Sequence, residues 1–318
     1  MQVLPPYARL IQPAHGRWIA TLLNFALRIA VKWRLGLHIN VPTLRGRLAK
    51  LDSMAPTELS DIRRESIVGA GVPCEWLIPS DVRPARVLLY FHGGAFIART
   101  PKTHAAMVSQ WCLALGARAL MVDYRLAPEH PYPAALDDCY AAYRWLLDQG
   151  VDPKTIVMAG DSAGGNLVLA VLQRARAEGK TLPACAVMMS PFVDFTLSGT
   201  SALDNAKRDP VFNLAFAIGI RGLYAKELDH VNPAVSPLFG DFRGLPPMLF
   251  QVGNHEMLLD DSLRAASLAR SAGVEAHVEI WDRLPHLFQT IVSLPQARAA
   301  RESAVCFISS HTGWDIQL

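Results

Sequence analysis

The chain has 318 residues, of which 51% are hydrophobic and 19% charged, which excludes a disordered protein and predicts a large buried core. Its net charge of +3 is too small for a nucleic-acid-binding face. Five cysteines, at 74, 112, 139, 185 and 306, are odd in number, widely spaced and without a CxxC. Neither a disulfide scaffold nor a zinc ribbon is expected, and they read as reduced core residues of a cytoplasmic protein.

Residues 1–60 read as a cap segment, helical over 1–50 and broken by Pro5-Pro6, Pro13 and Pro42. Residues 1–50 hold Arg9, Arg17, Arg28, Lys32, Arg34, Arg45, Arg47 and Lys50 but no Asp or Glu. Trp18, Leu22, Phe25 and Ile29 recur at helical spacing, with Arg17, Asn24, Arg28 and Lys32 elsewhere on the wheel. This amphipathic helix has two readings. One is a lid that buries those four residues against protein, facing the apolar stretch 211–223. The other is a helix lying in a membrane interface. The lid is preferred, because the segment lacks a long polybasic cluster. No apolar run reaches the ~18–20 residues of a membrane span, so no stable insertion is expected. No secretory signal pattern opens the chain.

Residues 62–79 read as a hairpin turning at Gly69-Ala70-Gly71. From residue 86, short apolar strands alternate with amphipathic helices. The strands are Val87–Phe91, Ala119–Tyr124, Thr155–Gly160, Ala184–Ser190, Met248–Gly253 and His277–Trp281. The helices are 104–116, 134–149, 163–178, 258–272 and 296–310. Continuous apolar strands and this rhythm predict an α/β fold: a mostly parallel sheet with helices on both faces. Residues 61–191 and 246–318 form its two parts, and 192–245 reads as a helical insertion joining the cap.

Gly160-Asp161-Ser162-Ala163-Gly164 follows an apolar strand and opens a helix. Glycines allow a sharp turn that pushes Ser162 outward, and the helix N-terminus favours developing negative charge. A serine hydroxyl needs a base, and the base an orienting acid. In folds built on such a turn the order is serine, acid, histidine. His286 follows the last strand on a loop and is the candidate base. Glu256 is the first acid past Met248–Gly253 and the candidate third member, with Asp260 as the alternative. Asp260 and Asp261 also suit a helix start without any catalytic role. His255-Glu256 is no zincin motif, since position 259 is Leu. His92-Gly93-Gly94-Ala95-Phe96 fits a loop lending backbone N–H groups to an oxyanion hole, with donors at Gly93, Gly94 and Ala163. His92 itself reads as structural. Phe96, Asp161, Phe212, Leu214, Leu258 and Leu287 are the candidate pocket residues.

His92-Gly-Gly, Asp123-Tyr-Arg-Leu-Ala-Pro-Glu-His-Pro-Tyr-Pro-Ala-Ala135 and Gly160-Asp-Ser-Ala-Gly-Gly-Asn166 together resemble the hormone-sensitive-lipase family of microbial esterases, in the form with Asp before the serine. The resemblance spans 91–166 and extends to about 290 through the acid loop and His286. It implies an α/β-hydrolase fold with a variable cap, cofactor-free hydrolysis of short- to medium-chain carboxylic esters through an acyl-enzyme, and frequent homodimerisation. The family more often has Asp where this chain has Glu256. An amidase or deacetylase with the same triad and a catalytically silent binding protein are the alternatives. The segment Tyr124–Pro133 reads as structural support under the active site.

Overall fold

The first described element is a strand, β1 (Ala8–Ile11), where the sequence reads as helical. Its stabilisation is in the main chain and one ion pair, neither of which leaves a periodicity in four residues. It runs parallel to the last strand of the sheet, receiving a hydrogen bond from Val278 N–H at Tyr7 O and one from Asp282 N–H at Ile11 O. Arg9 pairs with Glu279 on that strand. The protein is known from a computed structural model that describes residues 4–12, 17–30, 32, 36, 38–55 and 61–317. The remaining parts of the expected helical N-terminus, Pro13 and Arg34 among them, and the side chain of Arg17 lie outside the described residues.

Helices α1 (Arg17–Ala30) and α2 (Val41–Asp52) follow. Asn40 caps α2 by accepting a hydrogen bond from Thr43 N–H, and Pro42 sits in its first turn, where no N–H is needed. The hairpin is β2 (Ile62–Gly69) and β3 (Val72–Pro79). Ala70 and Gly71 join them at φ 53° and 80°, the left-handed pair that suits a two-residue turn between twisted strands.

The alternation then runs β4 (Val87–Phe91), α3 (Pro101–Leu115), β5 (Arg118–Val122), α4 (Ala134–Asp148), β6 (Ile156–Asp161), α5 (Ala163–Ala177) and β7 (Cys185–Met189). After α6 (Ser201–Asp204) and α7 (Leu214–Tyr224) it resumes as β8 (Met248–Gly253), α8 (Leu259–Ser271), β9 (Ala276–Trp281) and α9 (Pro295–Thr312). The stretch 192–245 is mostly loop around α6 and α7, less helical than expected.

All nine strands form one sheet in the order β1-β9-β8-β7-β6-β4-β5-β3-β2. Only β3 runs against its neighbours. Alternate residues of each strand meet different layers. Val87, Leu89 and Phe91 face the side covered by α4, α5 and α8, while Leu88 and Tyr90 face α3 and α9. The central strands are therefore apolar throughout, as a doubly covered parallel sheet requires. Cys74, Cys112, Cys139 and Cys185 are buried free thiols, as expected, and Cys306 is an exposed one on α9.

The apolar stripe of α1 faces away from the protein. Ala20 and Asn24 are buried, with Ile19 and Leu23 packed beside a cluster of Trp281, Leu284 and Phe288. Trp18, Leu22, Phe25 and Ile29 are 68, 59, 65 and 47% exposed. The expected burial against 211–223 does not occur. Helical spacing shows which side chains share a face, but polar ties decide which face turns inward. Asn24 donates to Arg283 O at 2.8 Å, Arg28 to Arg208 O at 2.8 Å, and Lys32 to Ala206 O and Asp209 O at 2.5 Å each.

Candidate active site

The turn between β6 and α5 places Ser162 at φ 52°, ψ −115°, just past the C-terminal end of the central strand β6. The turn can be this tight because Gly164 lacks a side chain: a Cβ there would lie 1.9 Å from Phe91 O. Ser162 N–H donates to Met189 O at 2.8 Å, and Ser162 O accepts from Phe192 N–H at 3.1 Å. The serine backbone is thus tied to the end of β7 and the loop after it.

The loop after β9 carries His286, whose Nε2 lies 3.0 Å from Ser162 Oγ. Its Nδ1 is 2.7 Å from Glu256 Oε2, on the loop after β8. A carboxylate at Nδ1 holds the proton there and leaves Nε2 free to accept one from the hydroxyl. The other oxygen of Glu256 accepts from Gly253 N–H at 2.6 Å and from Ser190 Oγ at 2.8 Å. Glu256 is fully buried, and these bonds fix its carboxyl group in one orientation. The extra methylene relative to aspartate is accommodated: the glutamate reaches the imidazole.

Asp260 is turned elsewhere. It accepts from Thr200 Oγ1 and Ser201 N–H, both at 2.9 Å, at the start of α6. Asp261 is buried and accepts from Val193 N–H at 2.8 Å and Asp194 N–H at 3.0 Å. Burial, and then the nearby Asp194 carboxylate, hold the Asp261 pKa well above the usual carboxylate range. Both do lie in the first turn of α8; Asp261 also tethers the 190s loop, and Asp260 the start of α6.

Two sequence expectations change at the oxyanion loop. Gly93 N–H is not a free donor, because it donates to Asp161 Oδ1 at 2.8 Å. Gly93 is required for close approach instead: a Cβ there would sit 2.1 Å from Asp161 Oδ2. The N–H groups of Gly94, Ala95 and Ala163 have no acceptor among the described residues. Asp161 does not line a pocket. It is fully buried and also accepts from Tyr90 OH at 2.5 Å and meets His104 Nε2 at 3.2 Å. Burial pulls His104 down, but the Asp161 carboxylate outweighs it and leaves the histidine above its ordinary value. Burial likewise pushes Asp161 up, and His104 and Tyr90 bring it below the usual aspartate value.

His92 is structural, as expected. Its ring stacks on Tyr124 at 4.2 Å, its Nδ1 is 2.7 Å from Gly93 O, and Tyr124 OH donates to His92 O at 2.7 Å. Burial, then His104, push its pKa down to about 4, so it is neutral. The 124–133 segment braces this loop further through Ala127 N–H, which donates to Phe96 O at 2.9 Å.

Phe212 lies edge-on to the His286 ring at 4.5 Å and, with Leu258, lines a small, mostly apolar cavity completed by Phe192, Leu197, Ala202, Ala217, Ile220, Met257 and one carboxyl, Asp261. It is nearly closed, with about 10 Å³ of free space. Phe96 does not line it: its ring is buried, stacked at 3.9 Å on Tyr224. Leu214 does not line it either, and Leu287 packs toward the α3 and α9 layer. A wider cavity of about 540 Å³ borders Tyr90, His92 and His104, but Ser162, Glu256 and His286 do not line it.

Sequence reasoning missed Ser190, Asp209 and His104. A polar residue closing the apolar run at 184–190 was the available signal for Ser190. Asp209, which accepts from Met257 N–H at 2.8 Å beside Glu256, had none, since its partners are remote in sequence. Burial, with the neighbouring Glu256 charge, raises its pKa.

The chain belongs to the α/β-hydrolase fold family, whose model matches residues 88–290, and within it to the hormone-sensitive-lipase esterases. It is 33% identical to an esterase of Acinetobacter venetianus over 293 residues, 91% of this chain and 94% of that one. It is 39% identical to an acetyl-hydrolase of Streptomyces hygroscopicus over 240 residues, 75% of this chain and 80% of that one. A solved esterase of the bacterial hormone-sensitive lipase family superposes with a TM-score of 0.87 at 37% identity, over 94% of this chain and 99% of that one.

Proposed function

We propose that Ser162, His286 and Glu256 form the catalytic triad of this chain, a carboxylic ester hydrolase. The carrying observation is the relay of 3.0 Å from Ser162 Oγ to His286 Nε2 and 2.7 Å from His286 Nδ1 to Glu256. Ser162 Oγ attacks the ester carbonyl carbon while His286 Nε2 takes its proton. The carbonyl oxygen, now negative, is held by the N–H groups of Gly94, Ala95 and Ala163, each worth about 3 kcal/mol. Glu256 stabilises the imidazolium. His286 returns the proton to the leaving alcohol, then activates the water that releases the acid from Ser162.

Helices α1 and α2 and residues 192–245 serve as the cap over this centre, while residues 8–11, expected in the cap, belong to the sheet as β1. The narrow cavity beside Phe212 and His286, about 10 Å³ as it stands, opens for the acyl group only if its lining side chains move apart, which favours acetyl and butyryl over long chains. A chain-length series of p-nitrophenyl esters tests both points. Turnover should fall steeply beyond short acyl groups and vanish in Ser162→Ala. A decanoate preferred over the acetate would move the acyl group elsewhere.

A further inference from the structure

Helix α1 turns Trp18, Leu22, Phe25 and Ile29 outward as one continuous stripe. Leaving four large apolar side chains in water along about three turns runs against their burial preference, and contiguous patches of this kind mark contact surfaces. The rest of the helix is committed. Its opposite side packs on Trp281, Leu284 and Phe288, and Asn24, Arg28 and Lys32 anchor it.

Charge identifies what covers the stripe. Arg28, Lys207, Arg208 and Arg283 form no ion pair among the described residues. Lys207, Arg208 and Arg283 are exposed. Arg208 and Arg283 lie beside the helix, since Arg28 donates to Arg208 O and Asn24 to Arg283 O, both at 2.8 Å. The acids of this surface are Asp282 and the exposed Asp204, next to Leu203, itself 68% exposed. The segment before Asp52 holds no acid, and of its cations Arg9 and Arg45 are paired elsewhere, with Glu279 and Glu129. No helix among the described residues is long and apolar enough to cross a membrane, so such a surface adsorbs rather than spans.

We infer that this face docks reversibly on an anionic lipid–water interface, with Trp18, Leu22, Phe25 and Ile29 entering the headgroup layer and the Arg28, Lys207, Arg208 and Arg283 cluster meeting the headgroup charge. An interfacial helix has this make-up: aromatic and aliphatic side chains on one face, cations along its flank. The placement also has a consequence for access. Asn24 holds Arg283, three residues before His286, and Lys32 holds Asp209, whose carboxylate binds the acid loop. Docking therefore sets the His286 side of the active site against the interface, where apolar esters concentrate.

Flotation of the full-length protein with vesicles tests this independently of catalysis. Phosphatidylglycerol vesicles at low salt should carry the protein to the top. Phosphatidylcholine vesicles, or about 0.5 M NaCl, which shortens the screening length to about 4 Å, should reduce binding at least tenfold. Trp18→Ser/Phe25→Ser should lose binding at least tenfold while hydrolysing a water-soluble acetate ester at the wild-type rate. Lys207→Glu/Arg208→Glu should lose binding to anionic vesicles and keep that same activity. Absence of wild-type flotation on phosphatidylglycerol overturns the inference, as does flotation unchanged in both variants. A dimer that dissociates in Trp18→Ser/Phe25→Ser, without vesicle binding by the wild type, assigns the stripe to a second copy and also overturns it.

Discussion

Helices α1 and α5 both carry large apolar side chains on more than one face, and they end in opposite surroundings. Helix α5 is buried from Ala163 through Leu172, wedged beside β6 and β4 and packed on α4. Helix α1 rests one side on the loop after β9 and leaves the other in water. The difference lies in the connections. Helix α5 is joined directly to β6 by the single residue Ser162, so the crossover to β7 must lay it on the sheet. Five residues separate α1 from the end of β1, and its position rests on Ile19, Ala20 and Leu23 against Trp281, Leu284 and Phe288 and on side chains gripping loop carbonyls. An apolar helix is a core helix when its connections make it one.

Substitutions at the two helices separate these roles. The largest effect belongs to the start of α5. Ser162→Ala should lower kcat by about 10⁶ with the thermal midpoint nearly unchanged, read from stopped assays at high enzyme concentration alongside calorimetry. Loss of less than a hundredfold would remove Ser162 from the triad.

Next come the acids that frame the site. Glu256→Gln should cost about 10⁴ in kcat, because the amide holds the imidazole in the wrong tautomer. Asp260→Asn should keep turnover and cost about 1–2 kcal/mol of stability, through its bonds to Thr200 and Ser201. The opposite ranking would hand the role to Asp260.

The buried pair beneath the serine turn gives a pH-dependent effect. His104 is raised, so its contribution is complete below the ordinary histidine value and is lost as pH climbs through its raised pKa. Asp161 is lowered, so its contribution is complete above the ordinary aspartate value and is lost in acid. Both act together from about pH 4 to about 6.5. His104→Gln should therefore cost about 3 kcal/mol at pH 6 and less at pH 9, by denaturant titration at each pH. An equal or larger loss at pH 9 would mean that the pair is not ionised.

The smallest effect belongs to α1. Trp18→Ser should change unfolding stability by less than about 0.5 kcal/mol, because its side chain buries little. A loss above about 2 kcal/mol would show that the stripe is packed against protein.

What the sequence made legible follows the same divide. Strand β4 was readable to the residue because a doubly covered parallel strand is apolar at every position, and β8 because Gln251 alone interrupts its apolar run. Ser162, His286 and Glu256 were readable because each lies on the loop after a strand, where chain order restricts the candidates. Strand β1 was not, since an edge strand of four residues pairs through its backbone. The inward face of α1 was hidden because Asn24 and Arg28 look solvent-facing until the carbonyls they bind are in place. Gly93 announced a close approach without naming what approaches. That proved to be the carboxylate of Asp161, which accepts from Gly93 N–H and leaves Gly94, Ala95 and Ala163 as the donors of the proposed oxyanion hole. The cavity beside Phe212 draws on separate stretches of chain, so no local pattern marked Phe192, Ala202 or Ile220.

The grip of Asp161 on Gly93 has a mechanical consequence. Asp161 and Ser162 are consecutive, so thermal displacement of the serine turn carries the carboxylate with it, and the carboxylate drags the oxyanion loop along through Gly93 N–H. Hydroxyl and loop donors then drift in common mode, and their separation stays constant while their absolute positions fluctuate. The centre is built as a self-aligning pair, tolerant of breathing in the sheet beneath it.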